Sequence, residues 1–157
     1  MRLEEVATVR SGLVLSRKQA RVATKYRYKL LNLRSINPDG YIDIENTDIY
    51  NALEPLNSEY LSQEGDVVIR LSMPYTAVLI DSTTVGMVIS SNFAIIRPNT
   101  NHILPEYLYW LLNTPRVKRL IFENTSSNML GGDKTAVILQ LLNLFPYQLK
   151  TRKRLQN

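Results

Sequence analysis

"DVVIRLSMPYTAVLID", Asp66 to Asp81, holds two short apolar runs broken by Met73-Pro74-Tyr75. Both runs are rich in valine, leucine and isoleucine, and each is the length of a strand, so the stretch predicts two β-strands, "DVVIRLS" and "TAVLID". Two more follow in "VGMVIS" and "FAIIRP". The period then changes. In "LPEYLYWLLNT", Leu104, Tyr107, Leu108, Leu111 and Leu112 lie on the stripe of an amphipathic helix. Thr114 can cap a second helix with Pro115 at its first position, burying Val117, Leu120 and Ile121 and leaving Arg116, Lys118 and Arg119 outside.

Upstream, "LNSEYLSQEGD" suggests a short helix closed by Gly65. "LEEVATVRSG" predicts a strand ended by Gly12, and Leu13 to Lys25 is a polar, basic loop without a clean period. "YRYKLLNLRSI" alternates as a strand. "NPDG" suits a β-turn, and "YIDIE" alternates again, so Tyr26 to Glu45 is expected to form a hairpin. After "SSNMLGGDKT", the segment "DKTAVILQLLNL" fits a helix or a buried strand. Strands first and helices later predict an α+β fold: a twisted mixed or antiparallel β-sheet with C-terminal helices.

The chain has 157 residues, 45% of them hydrophobic, as expected for one globular domain. Apolar runs such as Ala136 to Leu139 are too short to span a bilayer, and no charged-then-apolar leader opens the chain. A cytoplasmic protein without a membrane partner is expected. With no cysteine and a single histidine, His102, neither a disulfide framework nor a thiolate metal site is available.

The net charge of +5 is unevenly distributed. Residues 1–39 carry nine Lys/Arg and three Asp/Glu, net +6; residues 40–66 carry seven acids and no base, net −7; residues 67–157 carry ten bases and four acids, net +6. A basic face of this kind suggests a polyanion partner, although solvated charge on a basic protein gives the same count.

Catalytic patterns are missing. A phosphate-binding P-loop needs Gly, four residues, then Gly-Lys-Ser/Thr; here Asp133 stands between Gly132 and Lys134 and no glycine occupies the upstream position. A Ser-His-Asp triad would depend on His102, in the loop-like "NTNHILPE". Glu4 and Glu5 are adjacent and would point to opposite faces of a strand. No catalytic residue, metal ligand or cofactor of its own is therefore expected. The glycine loop is left as a contact loop or a plain connector: Ser126, Ser127 and Asn128 offer polar groups, Gly131 and Gly132 allow close backbone approach, and Lys134 adds charge.

The order of these segments resembles one target-recognition domain of the DNA-specificity subunit of type I restriction–modification systems. That family opens with L-x-x-V/I-A-x-x-x-x-G, matched by Leu3, Val6, Ala7 and Gly12. A short helix and a G-D-V/I-V/L-I strand follow, matched in "EGDVVIRLS"; then an Asn-aromatic strand ending in Arg-Pro and a Y-L-x-x-L-L helix, matched in "NFAIIRPNT" and "EYLYWLLNT". A small-polar/glycine loop precedes an apolar element, with Ile138, Leu141, Leu144 and Pro146 in register. The resemblance covers nearly the whole chain. It departs at the end, where "FPYQLKTRKRLQN" lacks the second proline that introduces the family's long spacer helix, so a half-subunit, a truncated product and a fragment all stay open.

The resemblance implies a single recognition domain over residues 1–146, with 147–157 a basic tail beginning a spacer helix. It implies a non-catalytic reader of half a split target in double-stranded DNA. The implied partners are a DNA methyltransferase subunit, which brings S-adenosylmethionine, and a restriction subunit; a half-subunit would act as a homodimer. Candidate DNA-contacting residues are Arg17, Lys18, Arg21, Lys25, Arg27, Arg34 and Arg70, with Ser126, Asn128, Gly131, Gly132 and Lys134 in the loop. The alternatives are the recognition domain of a separated DNA methyltransferase, a protein-interaction module docking through the acidic 40–66 segment, and a small enzyme with an unrecognised site.

Overall fold

The computed structural model describes residues 3–126 and Ile138. After a 3-10 turn at Leu3–Glu5 come the strands β1 (Ala7–Ser11), β2 (Arg27–Leu31), β3 (Ile36–Asn37), β4 (Tyr41–Ile42), β5 (Asp48–Asn51), β6 (Val67–Arg70), β7 (Ala77–Leu79), β8 (Val88–Ile89) and β9 (Phe93–Pro98). The helices α1 (Pro105–Leu112) and α2 (Pro115–Ser126) follow. The fold is α+β, strands before helices.

The main sheet has the order β1-β9-β6-β7, with every neighbour antiparallel. Its two central strands are covered on both faces. Val67, Ile69, Ala94 and Ile96 face a core completed by Leu108, Leu111 and Leu112 of α1, Val117 and Ile121 of α2, and Ile138. Val68, Phe93 and Ile95 face a second core with Leu31, Ile36, Ile80, Met87 and Ile89. This is why "VVI" and "FAII" are continuously apolar rather than alternating: each side chain meets a core whichever way it points. Burying one such side chain contributes roughly 1.5–3 kcal/mol.

The second sheet, β5-β2-β8, is mixed: β2 runs antiparallel to β5 and parallel to β8. A third, smaller core of Leu13, Tyr50, Ala52 and Val88 lies beneath it, with Leu15, Tyr26, Tyr28, Leu30, Leu56, Tyr60 and Leu61 packed around.

Three local expectations are corrected. The strand expected over 26–36 ends at Leu31, because Asn32 opens a 3-10 turn at Leu33–Ser35. Its Oδ1 accepts from Ser35 N (3.0 Å) while Ser35 Oγ accepts from Asn32 N (3.2 Å), a reciprocal cap that turns the chain. The hairpin therefore shrinks to β3 and β4 around the "NPDG" turn, and β2 pairs with β5 and β8 instead. The helix expected before Gly65 is a single 3-10 turn, Ser58–Tyr60. Lys118 of α2 is half-buried rather than outside, and burial lowers its pKa.

Helix α1 is pinned to the strands by two polar side chains. Tyr109 OH donates to Gly40 O (2.7 Å) in the turn between β3 and β4. Gly40 has φ +93, a backbone conformation that other residues rarely adopt, and a Cβ there would stand 2.8 Å from the Tyr109 hydroxyl oxygen and force it to shift. Asn113, just beyond α1, accepts from Ala77 N (3.0 Å) and donates to Ala77 O (2.9 Å) on the outer strand β7.

Candidate nucleic-acid interface

The basic N-terminal segment is folded around the end of β5. Lys18 O accepts from Leu53 N (2.9 Å), Ala20 N donates to Asn51 O (2.9 Å), and Gln19 bridges Ala52. After the turn, Thr24 Oγ1 donates to Ala52 O (2.7 Å) and Tyr26 O accepts from Ala52 N (2.8 Å), leading into β2. Residues 51–53 thus hold the segment on both edges. Alternation then sorts the side chains. Tyr26, Tyr28 and Leu30 turn inward to the third core, while Lys25, Arg27 and Lys29 turn to solvent. Arg17 and Arg21 are exposed as well. The inner face is anchored by Tyr50, whose hydroxyl donates to Leu15 O (2.6 Å) and whose pKa burial raises.

The acidic segment 40–66 does not stay a separate face. Four of its seven acids are engaged in ion pairs: Asp48 with Arg34, Glu54 with Lys18, Glu59 with Arg10 and Asp66 with Arg97. The hydrogen bond from Lys18 lowers the pKa of Glu54, and that from Arg10 lowers the pKa of Glu59. Arg10 also stands over the Tyr60 ring, 4.8 Å from its centroid. Among the described residues, no carboxylate pairs with Arg17, Arg21, Lys25, Arg27 or Lys29. These five cations are exposed on β2 and on the segment bonded to residues 51–53 beside it, with Lys25 Nζ 5.2 Å from the centroid of the Tyr26 ring. Such a surface can bind a polyanion, because positive charge left without an internal partner is available to phosphates.

Of the residues singled out from the sequence, Arg17, Arg21, Lys25 and Arg27 are exposed on this segment and on β2. Lys18 borders them, tied to Glu54; Arg34 sits at the far end of the β2–β5 pair, tied to Asp48. Arg70 is elsewhere, half-buried at the end of β6, donating to Ser72 Oγ (3.1 Å). Ser126 is the last residue of α2. Asn128, Gly131, Gly132 and Lys134, with Ser127, lie outside the described residues. Sequence reasoning missed Lys29, which the period of two extends directly from Arg27, and it missed β5 altogether. His102 is exposed, and the described residues contain no group of three His, Cys, Asp or Glu able to hold a metal ion. No described helix is long and apolar enough to cross a membrane.

No protein-family profile and no curated protein matches this sequence. Solved structures do. The HsdS subunit from Thermoanaerobacter tengcongensis superposes with a TM-score of 0.60 at 15% identity, over 98% of this chain and 43% of that one. A chain from the structural study of assembly and conformational transition of a type I R-M system matches with a TM-score of 0.60 at 16% identity, over 99% of this chain and 40% of that one. The chain spans about two fifths of the length of these two solved chains. Its α+β architecture is one it shares with the HsdS specificity subunit of type I restriction–modification systems.

Proposed function

We propose that this chain is a target-recognition domain that binds double-stranded DNA as part of a type I specificity subunit. The domain occupies residues 1–146 and 147–157 begin a spacer. It works in the cytoplasm, performs no chemistry of its own, and docks the methyltransferase subunit that supplies S-adenosylmethionine. The observation that carries this function is the set of exposed cations Arg17, Arg21, Lys25, Arg27 and Lys29, which have no carboxylate partner among the described residues while neighbouring acids are engaged. The shared fold is consistent with it.

Phosphate contacts on such a surface position the protein and make binding salt-dependent. One domain covers half a split site and lacks the gain in affinity that linking two modules brings. The purified chain is therefore expected to shift duplex DNA with an affinity of roughly micromolar, weakening steeply as salt rises. Mixed with DNA and S-adenosylmethionine, it should transfer no methyl group. Salt-insensitive binding, or reproducible methylation by the chain alone, would contradict the proposal.

A further inference from the structure

We propose that the β2–β5 ribbon is the base-reading element, lying in the major groove of duplex DNA with Arg27, Lys29, Ile49 and Asn51 toward the base edges. This rests on the DNA-binding function proposed above and adds which residues carry specificity. In the antiparallel register, Arg27 stands opposite Asn51 and Lys29 opposite Ile49. Directly opposed residues share a face, and the other face is occupied by Tyr28 and Tyr50 in the third core. The outward face is therefore a two-by-two patch of two cations, an amide and an aliphatic side chain.

Its surroundings suit groove entry. The parallel neighbour β8 meets β2 only at Leu30 and Leu31, and the 18–20 segment borders β5 at its C-terminal end, where Ala20 N donates to Asn51 O and Gln19 bridges Ala52. Among the described residues, the ribbon is thus two strands wide at Lys29 and Ile49 and is bordered by the 18–20 segment at its Asn51 end. A two-stranded ribbon fits the major groove, about 12 Å across. Outward residues two apart on one strand are separated by about 6.8 Å, close to two base-pair steps of about 3.4 Å. Asp48, the acid of β5, is kept off this patch: it alternates to the other face and accepts from Asn32 Nδ2 (2.5 Å) and from Arg34.

The chemistry of the patch is that of base readout rather than of charge alone. An arginine or lysine donates to guanine O6 and N7, an asparagine pairs with adenine N6 and N7, and an apolar side chain packs on the thymine methyl. Ile49 is 49% exposed between polar neighbours, so its side chain is open to contact with a thymine methyl. Asn51 Oδ1 accepts only a long bond from Thr24 N (3.4 Å), and among the described residues no partner accepts from its Nδ2. Arg17, Arg21 and Lys25 are exposed on the segment bonded to residues 51–53 at one end of the ribbon, where they can hold phosphates.

The test uses the full chain and a pool of duplexes with a randomised core. The parent is expected to enrich a short consensus. Ile49→Ala and Asn51→Ala should change that consensus, or reduce the ratio of selected to random-duplex affinity about tenfold, with the salt slope on random duplex unchanged because no charge is lost. Lys29→Ala should lower both the ratio and the slope. Arg119→Ala, on the exposed side of α2, serves as the charge control and should leave the consensus as it is. Ile49→Thr, which keeps the branched shape of an exposed strand position, guards against a loss of fold. If these ribbon variants melt like the parent and enrich the same consensus at the same ratio, the inference is overturned while DNA binding stands. It is equally overturned if the parent binds DNA but enriches no sequence. A parent that binds no duplex at all overturns both proposals.

Discussion

Arg97 and Asp66 form a fork-to-carboxylate pair across the main sheet: Nε donates to Oδ1 at 2.8 Å and the terminal nitrogen to Oδ2 at 2.9 Å. The Asp66 side chain is 1% exposed. The same guanidinium nitrogen donates to Leu61 O (3.1 Å), and Asp66 Oδ2 also accepts from Gln63 N (2.8 Å). The pair therefore fixes the turn that delivers the chain into β6, and the hydrogen bonds to Asp66 hold the Arg97 pKa above its ordinary value. Asp66→Ala is expected to destabilise the protein by about 3–5 kcal/mol, because the fork is left in a largely buried site without its acceptor. Asp66→Asn should cost less, since an amide oxygen still accepts. Arg97→Lys should not restore the parent, since an ammonium cannot supply two parallel bonds. Urea midpoints measure all three, and equal stability of Asp66→Ala and parent would refute this account.

Gly12 is where β1 hands over to the basic segment, and its amide donates to Phe93 O (3.0 Å). A Cβ at this position would stand 2.1 Å from Ser90 O and 2.5 Å from Ile89 O, both backbone atoms that cannot swing aside. Gly12→Ala is expected to cost about 1–3 kcal/mol or more, as overpacking against fixed structure does. A melting temperature unchanged from the parent would show that this crossing has room.

Acid should weaken the fold through carboxylates used as acceptors. Glu54 and Glu59 have pKa values lowered from an ordinary 4.5, and Asp81 is lowered by hydrogen bonds from Thr83 and Thr84. A depressed folded pKa means that the folded state resists protonation. The stabilisation is therefore complete above the unfolded value and is lost as pH falls through the lower folded values. Melting temperature should hold level from neutrality to about pH 5 and decline below it. Glu59→Gln should flatten part of that decline; a profile identical to the parent's would count against the Arg10–Glu59 contribution.

The positive surface makes a quantitative demand on salt dependence. Replacing Arg17, Arg21 and Lys25 together with alanine should reduce the log–log salt slope of DNA binding by roughly 2–3 units, near 0.9 for each phosphate contact removed. If the glycine loop also touches phosphate, Lys134→Ala should lower the slope by about 0.9, whereas alanine at Gly131 and Gly132 should weaken binding without altering it. A slope unchanged in the triple variant would place the DNA on another face.

The strands at 67–70, 77–79 and 93–98 were legible in the sequence because apolar runs of that length, punctuated by Pro and Gly, have few other uses, and α1 and α2 because of their stripe and the Thr114-Pro115 start. β5 was not. "DIYN" is short, begins and ends in polar residues, and holds too few residues to establish a period. Its pairing with β2 depends on the turn that the Asn32–Ser35 cap makes, a side-chain event that periodicity does not register. For the candidate interface, the cations were visible as letters, but their availability was not. Lys18 and Arg34 look like Arg17 and Arg21 in sequence; only the folded chain brings Glu54 and Asp48 onto the first two.

Asn113 completes the outer margin of the main sheet. By giving one bond to Ala77 O and taking one from Ala77 N, its amide does what a neighbouring strand would do at that residue. Among the described residues β7 is the last strand on its side, and an open strand margin invites a passing extended chain to add itself. A polypeptide arriving there finds this donor and acceptor already occupied. Copies of this chain are in this way kept from adding strand to strand at Ala77.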